Sequence, residues 1–200
     1  MHTCKWLVSL LMYSQEIGCV LYAAEPNWCY VPSVIRPLQT YLHQTGQKLH
    51  LSLVIIGSEL WYLHEYYTLK DCCANHTRLI SSYGVSEATI DSSYFESTLL
   101  SEHLERAVPI GKALNNIQLW VLDQFYQPQP VGIDGQLCIA GAGLARGYLN
   151  RPELTAEKFI EVQLFGKRER IYKTGDIARL HAAHQFYCVG QTALNCQWQN

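Results

Sequence analysis

The stretch Leu79-Ile80-Ser81-Ser82-Tyr83-Gly84-Val85-Ser86-Glu87-Ala88-Thr89 decides how this chain is to be read. It opens apolar, turns at a glycine, and then presents a hydroxyl and a carboxylate side by side. Glycine has no Cβ, so a ligand or another backbone segment can approach it closely. The Tyr83 ring suits stacking on a purine. The Glu87 carboxylate suits a magnesium ion, a hard cation that takes oxygen ligands and substrate phosphates. Taken alone, Tyr83 to Thr89 is equally compatible with an ordinary strand-to-loop junction, so the surroundings have to discriminate.

Upstream, Leu51 to Ile56 is a short apolar run, rich in β-branched residues and ending at Gly57, as expected of a buried parallel strand. Val31 to Leu38, continuing through Tyr41-Leu42, reads as a helix closed by Gly46. From Ser58 to Cys73 aromatic and aliphatic positions recur at helical spacing. Ser58 is the expected cap, and Trp61, Tyr62, Tyr66 and Tyr67 form one packed face. Arg78 to Ser82 is the next strand. Strand, helix and strand make one α/β unit that delivers Tyr83 to the carboxyl end of a strand, where α/β sheets hold ligands.

Beyond about residue 107 the texture changes (element boundaries read this way carry about ±4 residues). Ile117 to Leu122 is strand-like and Pro128 and Pro130 follow. The pair Asp134-Gly135 then leads into Gln136 to Gly141, which reads as a hairpin turn. Thr155 to Phe159 is a short helix with Thr155 as its expected cap, and Ile171–Thr174 and Phe186–Val189 add strands. Residues 107–190 therefore read as a small antiparallel, barrel-like subdomain. Residues 29–106 read as the end of an α/β subdomain, residues 1–28 as a segment with little pattern, and 191–200 as a divergent tail.

Composition bounds the function classes. With 48% hydrophobic and 16% charged residues among 200, a packed core is expected and disorder is not. A net charge of −2 with no basic stripe gives no electrostatic case for nucleic acid. Leu7 to Tyr13 has the apolar character of a signal-peptide core but is interrupted by Ser14-Gln15-Glu16, and it is too short to span a bilayer. The eight cysteines include the adjacent Cys72 and Cys73 and no C-x-x-C pair, while Cys29, Cys138 and Cys188 sit in apolar strand-like settings. That is the pattern of thiols used as small hydrophobes in a reducing cytoplasm. His64-Glu65 lacks the second histidine of a zinc-protease helix, and His181, His184 and Cys188 lack a fourth ligand. Gly141, Gly143 and Gly147 have the wrong spacing for a dinucleotide fingerprint and follow a hairpin instead of opening a βαβ helix.

Three segments, in order, resemble the adenylation domains of nonribosomal peptide synthetases, within the adenylate-forming superfamily. They are Tyr83 to Ile90; Gly135-Gln136-Leu137-Cys138-Ile139-Ala140-Gly141-Ala142-Gly143-Leu144-Ala145-Arg146-Gly147-Tyr148 with Asn150 to Phe159; and Tyr172-Lys173-Thr174-Gly175-Asp176. The wording of the second favours peptide synthetases over acyl-CoA ligases. The resemblance covers roughly residues 29–190 and implies a fold made of an α/β region plus a barrel-like subdomain, the later portion of the large N-terminal part of such an enzyme. It implies ATP and magnesium as cofactors and an amino acid as substrate. Tyr83 would contact adenine, Gly84 would belong to the same cofactor-binding set, Ser86 would offer its hydroxyl to phosphate, Glu87 would bind magnesium, and Asp176 would accept hydrogen bonds from the ribose hydroxyls, a strong arrangement for an ionised acceptor. By the same pattern Cys29, Val54, Ile56, Ser82, Ile90 and Asp91 would line the substrate pocket. Asp91 there fits a polar or cationic substrate and equally a turn cap.

The departures matter as much. Nothing upstream of Tyr83 matches the family's Ser/Thr/Gly-rich, lysine-containing phosphate loop, and no aspartate for the substrate amino group is found upstream of residue 29. After Gly190 the family's arginine and hinge aspartate are replaced by Gln191-Thr192-Ala193-Leu194-Asn195. The resemblance therefore implies a partial adenylation domain with little or no turnover alone. Its partners would be the missing C-terminal adenylation subdomain with its lysine, and a peptidyl carrier domain. A noncatalytic nucleotide-binding or interaction remnant, complementation by a separate polypeptide, and a piece of an acyl-CoA synthetase-like ligase are the alternatives. A piece beginning within a sheet is expected to expose a strand edge and apolar surface, and so to be poorly soluble.

Overall fold

The computed structural model describes residues 27–97, 104–181 and 185–191. Nearly all of the 1–28 segment, the tail after Gln191, and His184 lie outside the described residues. Among the described residues no helix is long and apolar enough to cross a membrane.

The first half builds a mixed five-stranded sheet in sequence order: β1 (Asn27–Tyr30), β2 (Leu53–Gly57), β3 (Arg78–Tyr83), β4 (Ser93–Phe95) and β5 (Lys112–Ala113). The pairs β1–β2 and β2–β3 are parallel, and β3–β4 and β4–β5 antiparallel. Helix α1 (Pro32–Thr45) connects β1 to β2 and α2 (Leu63–Cys72) connects β2 to β3. Parallel crossovers are right-handed as a rule, so two advancing in one direction place both helices on the same face. There Val54, Ile56 and Leu79 pack against Ile35, Leu38, Leu42, Tyr66 and Leu69 in one core. The Tyr66 hydroxyl, fully buried, donates to the Leu79 carbonyl at 2.9 Å, so this large core side chain leaves no polar atom stranded.

Helix α1 runs as its sequence predicts and stops at Gly46, whose φ of 67° is the left-handed cap that glycine takes without penalty. Helix α2 differs from expectation. Ser58 does not cap it; the helix starts after Tyr62, because Glu65 Oε2 reaches back to accept the Tyr62 amide at 2.8 Å. The preceding residues are held outside the helix by α1: Glu59 accepts from the Ser33 amide and hydroxyl, and Arg36 donates to the Leu60 carbonyl and to Glu65.

The second half is antiparallel. Strands β6 (Ile117–Leu122), β7 (Asp134–Gly141), β9 (Lys167–His181) and β10 (Gln185–Gln191) lie in the order β10-β9-β7-β6, with β8 (Phe159–Leu164) also on β9 and α3 (Pro152–Lys158) before it. Asp134-Gly135 is not the hairpin turn that its dipeptide suggests. Both residues are in β7, paired with Arg179 and Ala178, and Asp134 forms a bidentate pair with Arg179. The turn is made earlier by Asp123, whose Oδ1 accepts the amides of Phe125 and Gln127, each at 2.8 Å. Thr155 likewise lies inside α3 and does not cap it. Its hydroxyl donates to the Arg151 carbonyl and accepts the Tyr148 amide, tying α3 to the glycine-rich segment.

Side chains alternate across this sheet as a period of two requires. Leu137 and Ile139 join a core that also holds Leu119, Val121, Ala178, Phe186 and Ala88, whereas Cys138 and Ala140 face Leu122, Val162, Leu164 and Ile171. The first of these cores has Tyr83 and Val85 packed against it. The segment after β3 is therefore laid on the inner face of the antiparallel sheet. Cysteines 72, 73 and 138 are buried thiols, as their settings suggest, but Cys29 is exposed near the outer edge of the first sheet.

Candidate functional site

Strand β3 ends at Tyr83, and the chain then makes a 3-10 turn over Ser86–Ala88. Gly84 is required by close approach: a Cβ there would stand 1.9 Å from the Ile90 carbonyl oxygen. The turn folds back so that the Ser92 amide donates to the Tyr83 carbonyl at 2.8 Å and the Ile90 amide to that of Val85. Closing it puts Thr89 and Ile90 at φ of 62° and 70°. Two β-branched residues in the left-handed region are costly, and such backbone persists only where surrounding contacts enforce it. The enforcing contacts come from the glycine-rich segment. Thr89 Oγ1 donates to the Gly143 carbonyl at 2.7 Å, and the Ala145 amide to the Glu87 carbonyl at 2.8 Å.

On the other side stands β9. Between the pairs Gln136–Ile177 and Cys138–Lys173, two steps along β7 match four along β9, so β9 bulges at Thr174-Gly175-Asp176. Gly175 takes a φ of 84° there. The buried Thr174 hydroxyl fastens the bulge, donating to the Leu137 carbonyl at 2.8 Å and accepting the Asp176 amide at 3.0 Å. The bulge turns Asp176 toward the Tyr83 segment.

Two contacts then join residues 83–87 to residues 172–176. The Tyr83 hydroxyl donates to Asp176 Oδ2 at 2.5 Å, with Asp176 only 8% exposed. Burial, and then the Asp176 charge, raise the Tyr83 phenol well above the ordinary tyrosine value. The Tyr148 hydroxyl donates to Glu87 Oε1 at 2.6 Å and lies 3.1 Å from the Tyr172 hydroxyl. Desolvation is again the first cause of the raised phenols of Tyr148 and Tyr172. Both tyrosines are within the segments that carry the resemblance, yet sequence reasoning gave them no role. Only their place within those motifs marked them.

The structure thus brings Tyr83, Gly84, Glu87 and Asp176 to one junction between the sheets, with Ser86 exposed beside them on the 3-10 turn. It disperses the six pocket residues. Val54 and Ile56 are fully buried beneath the helices. Cys29 aligns with Ile55 and Ser82 with Gly57, which puts them on the opposite face of the sheet. Ile90 is 71% exposed on the strained turn, with Asp91 half-buried next to it. Cys29, Ser82, Ile90 and Asp91 all keep exposed surface, and Val54 and Ile56 keep none.

The donor set bears on the metal. Among the described residues no three His, Cys, Asp or Glu side chains stand together. Glu87 offers a single carboxylate, which fits a magnesium ion that arrives on nucleotide phosphates and keeps several waters.

The AMP-binding enzyme family matches residues 26–149. Gramicidin S synthase 2 of Brevibacillus brevis is 46% identical over 151 residues, which is 74% of this chain and 3% of that protein. Tyrocidine synthase 3 of Brevibacillus parabrevis is 44% identical over 152 residues, 76% of this chain and 2% of that protein. The chain thus spans a few per cent of the length of these relatives. Among solved structures, the N-terminal subdomain of Klebsiella oxytoca NpsA, in complex with 3-hydroxybenzoyl-AMSN, aligns with a TM-score of 0.73 at 25% identity, covering 92% of this chain and 45% of that one. The nonribosomal peptide synthetase FmoA3 aligns with a TM-score of 0.72 at 27% identity, covering 82% and 18%. With the Tyr83 segment folded against the β9 bulge, and the sequence match running across the first sheet into the glycine-rich segment, the chain belongs to the AMP-binding enzyme family and corresponds to part of the adenylation domain of a nonribosomal peptide synthetase.

Proposed function

We propose that this chain supplies the nucleotide-facing part of an amino-acid adenylation domain. In the reaction it serves, an oxygen of the amino acid's carboxylate attacks the α-phosphorus of ATP, the bond to pyrophosphate breaks, and aminoacyl-AMP results. Catalysis of this kind is mostly positioning and charge neutralisation. Asp176 takes the ribose hydroxyls, Tyr83 and Gly84 the adenine, Ser86 a phosphate oxygen, and Glu87 a magnesium ion carried by the phosphates. Cys29, Ser82, Ile90 and Asp91 are the candidates for substrate contact. The single observation that carries this reading is the double tie between residues 83–87 and 172–176, the second made through Tyr148, which assembles a tyrosine ring and two carboxylates from distant segments. The matched relatives, synthases and a synthetase by name, support the reaction class.

A C-terminal adenylation subdomain and a peptidyl carrier domain are its partners in this reading, supported by solved relatives that hold adenylation and PCP domains together. The buried thiols support a reducing, cytoplasmic setting. Two measurements test the proposal. Calorimetric titration with ATP and magnesium is expected to show binding at millimolar nucleotide or below, and no heat of binding would refute the nucleotide site. Pyrophosphate exchange with the twenty amino acids is expected to be absent for this chain alone, and robust exchange would refute its dependence on partners.

A further inference from the structure

Glu87 sits on a one-turn helix in a strained loop, and a carboxylate on a flexible side chain there has many orientations open to it. The structure closes a ring of contacts around it. From its backbone, Glu87 accepts the Ala145 amide; the Ala145 carbonyl accepts Arg170 Nη1 at 2.9 Å; and the Arg170 guanidinium lies 4.7 Å from the centre of the Phe159 ring. Phe159 in turn packs edge-on against Tyr148 at 5.7 Å, and Tyr148 returns to Glu87 Oε1 through its hydroxyl. A phenol has one proton. Since that of Tyr148 goes to the carboxylate, the Tyr172 hydroxyl at 3.1 Å is the donor to Tyr148. Side chain and backbone of Glu87 are thus held from one rigid platform.

We propose that Tyr148, backed by Tyr172, is the positioning residue that orients the Glu87 carboxylate toward a divalent cation carried by the nucleotide. This rests on the reading of Glu87 as the metal-facing carboxylate. Groups that orient a metal ligand from behind change metal affinity without touching the metal. A purely structural role for the Tyr148 hydroxyl instead affects folding and nucleotide binding alike.

The test uses the full 200-residue chain. ATP binding is measured by calorimetry with and without Mn²⁺, and bound Mn²⁺ by electron paramagnetic resonance, for wild type, Glu87→Gln, Tyr148→Phe and Tyr172→Phe. The expected result is that Mn²⁺ tightens ATP binding by the wild type and not by Glu87→Gln. Tyr148→Phe is expected to weaken Mn²⁺ in the ATP complex roughly tenfold, with metal-free ATP affinity unchanged, and Tyr172→Phe to weaken it less. Wild-type Mn²⁺ affinity in Tyr148→Phe, or an equal loss with and without metal, overturns the positioning role while leaving Glu87 in place. If Glu87→Gln behaves as wild type, the metal-facing reading falls and the positioning role with it. Should Tyr148→Phe fail to fold, Tyr172→Phe decides, and unchanged Mn²⁺ affinity there overturns the proposal.

Discussion

Replacing Tyr83 by Phe removes one oxygen from the junction between the two sheets and leaves the ring in place. That oxygen donates at 2.5 Å to a carboxylate only 8% exposed, so the bond is charge-assisted and poorly compensated by water when lost. Bonds of this type contribute about 1.5–3 kcal/mol. Urea unfolding at pH 7 is therefore expected to show Tyr83→Phe less stable by about 2 kcal/mol, with a melting temperature lower by roughly 4–8 °C for a chain of this size. The pH dependence supplies a second leg. Burial first, and the Asp176 charge next, raise the Tyr83 phenol above its ordinary 10.0 in the folded state. A raised folded-state pKa gives a contribution that is whole below the unfolded value and lost as pH climbs beyond it, at about 1.4 kcal/mol per pH unit. The other buried tyrosines are common to both proteins and cancel. The gap between wild type and Tyr83→Phe is thus expected to shrink from about 2 kcal/mol at pH 7 to under roughly 1 kcal/mol at pH 11. A gap that is absent at pH 7, or that stays constant from pH 8 to pH 11, refutes the reasoning. So does a double-mutant cycle with Asp176→Asn in which the two losses simply add, within about 0.5 kcal/mol.

Thr174→Val keeps the shape of the bulge residue and deletes the hydroxyl that bonds Leu137 and the Asp176 amide. Urea unfolding is expected to report a loss of about 1–3 kcal/mol, with Thr174→Ser close to wild type; equal losses in the two variants would show that packing and not the hydroxyl matters. Ser86→Ala, on an exposed turn, is expected to leave the urea midpoint unchanged and to weaken ATP about tenfold in calorimetry. Unaltered ATP affinity would remove Ser86 from the phosphate site. Burial pushes the Cys138 thiol up to about 12 and that of Cys73 to about 11. Alkylation of native protein at pH 8, followed by peptide mapping, is accordingly expected to label the exposed Cys29 well before either, and comparable rates would contradict the packing described.

Period and punctuation in the sequence were enough to place most elements. The apolar run before Gly57 and the Gly46 stop of α1 each rest on interactions within a few residues, where local chemistry dominates. The residues proposed for the nucleotide were likewise marked in the sequence, because Tyr83, Ser86 and Glu87 are neighbours and Asp176 sits in its own short motif. The misplacements have a common cause. Ser58, Asp134-Gly135 and Thr155 all have the right chemistry for a cap or turn, but in each case a partner distant in sequence or a competing side chain decided otherwise. Glu65 and the contacts from α1 set the start of α2, Asp123 makes the hairpin turn, and Tyr148 engages Thr155.

The chain by itself therefore determined its family, most of its strands and helices, and the residue types proposed for a nucleotide corner. Tertiary structure alone decided that Tyr83 meets Asp176 across 93 residues, that Tyr148 meets Glu87 across 61, and that Val54 and Ile56 are buried under the helices. The physical reason is that these outcomes depend on strand register and on the two-residue bulge in β9. Both are set by how whole sheets pack, and a register shift of one residue turns a side chain from one face to the other.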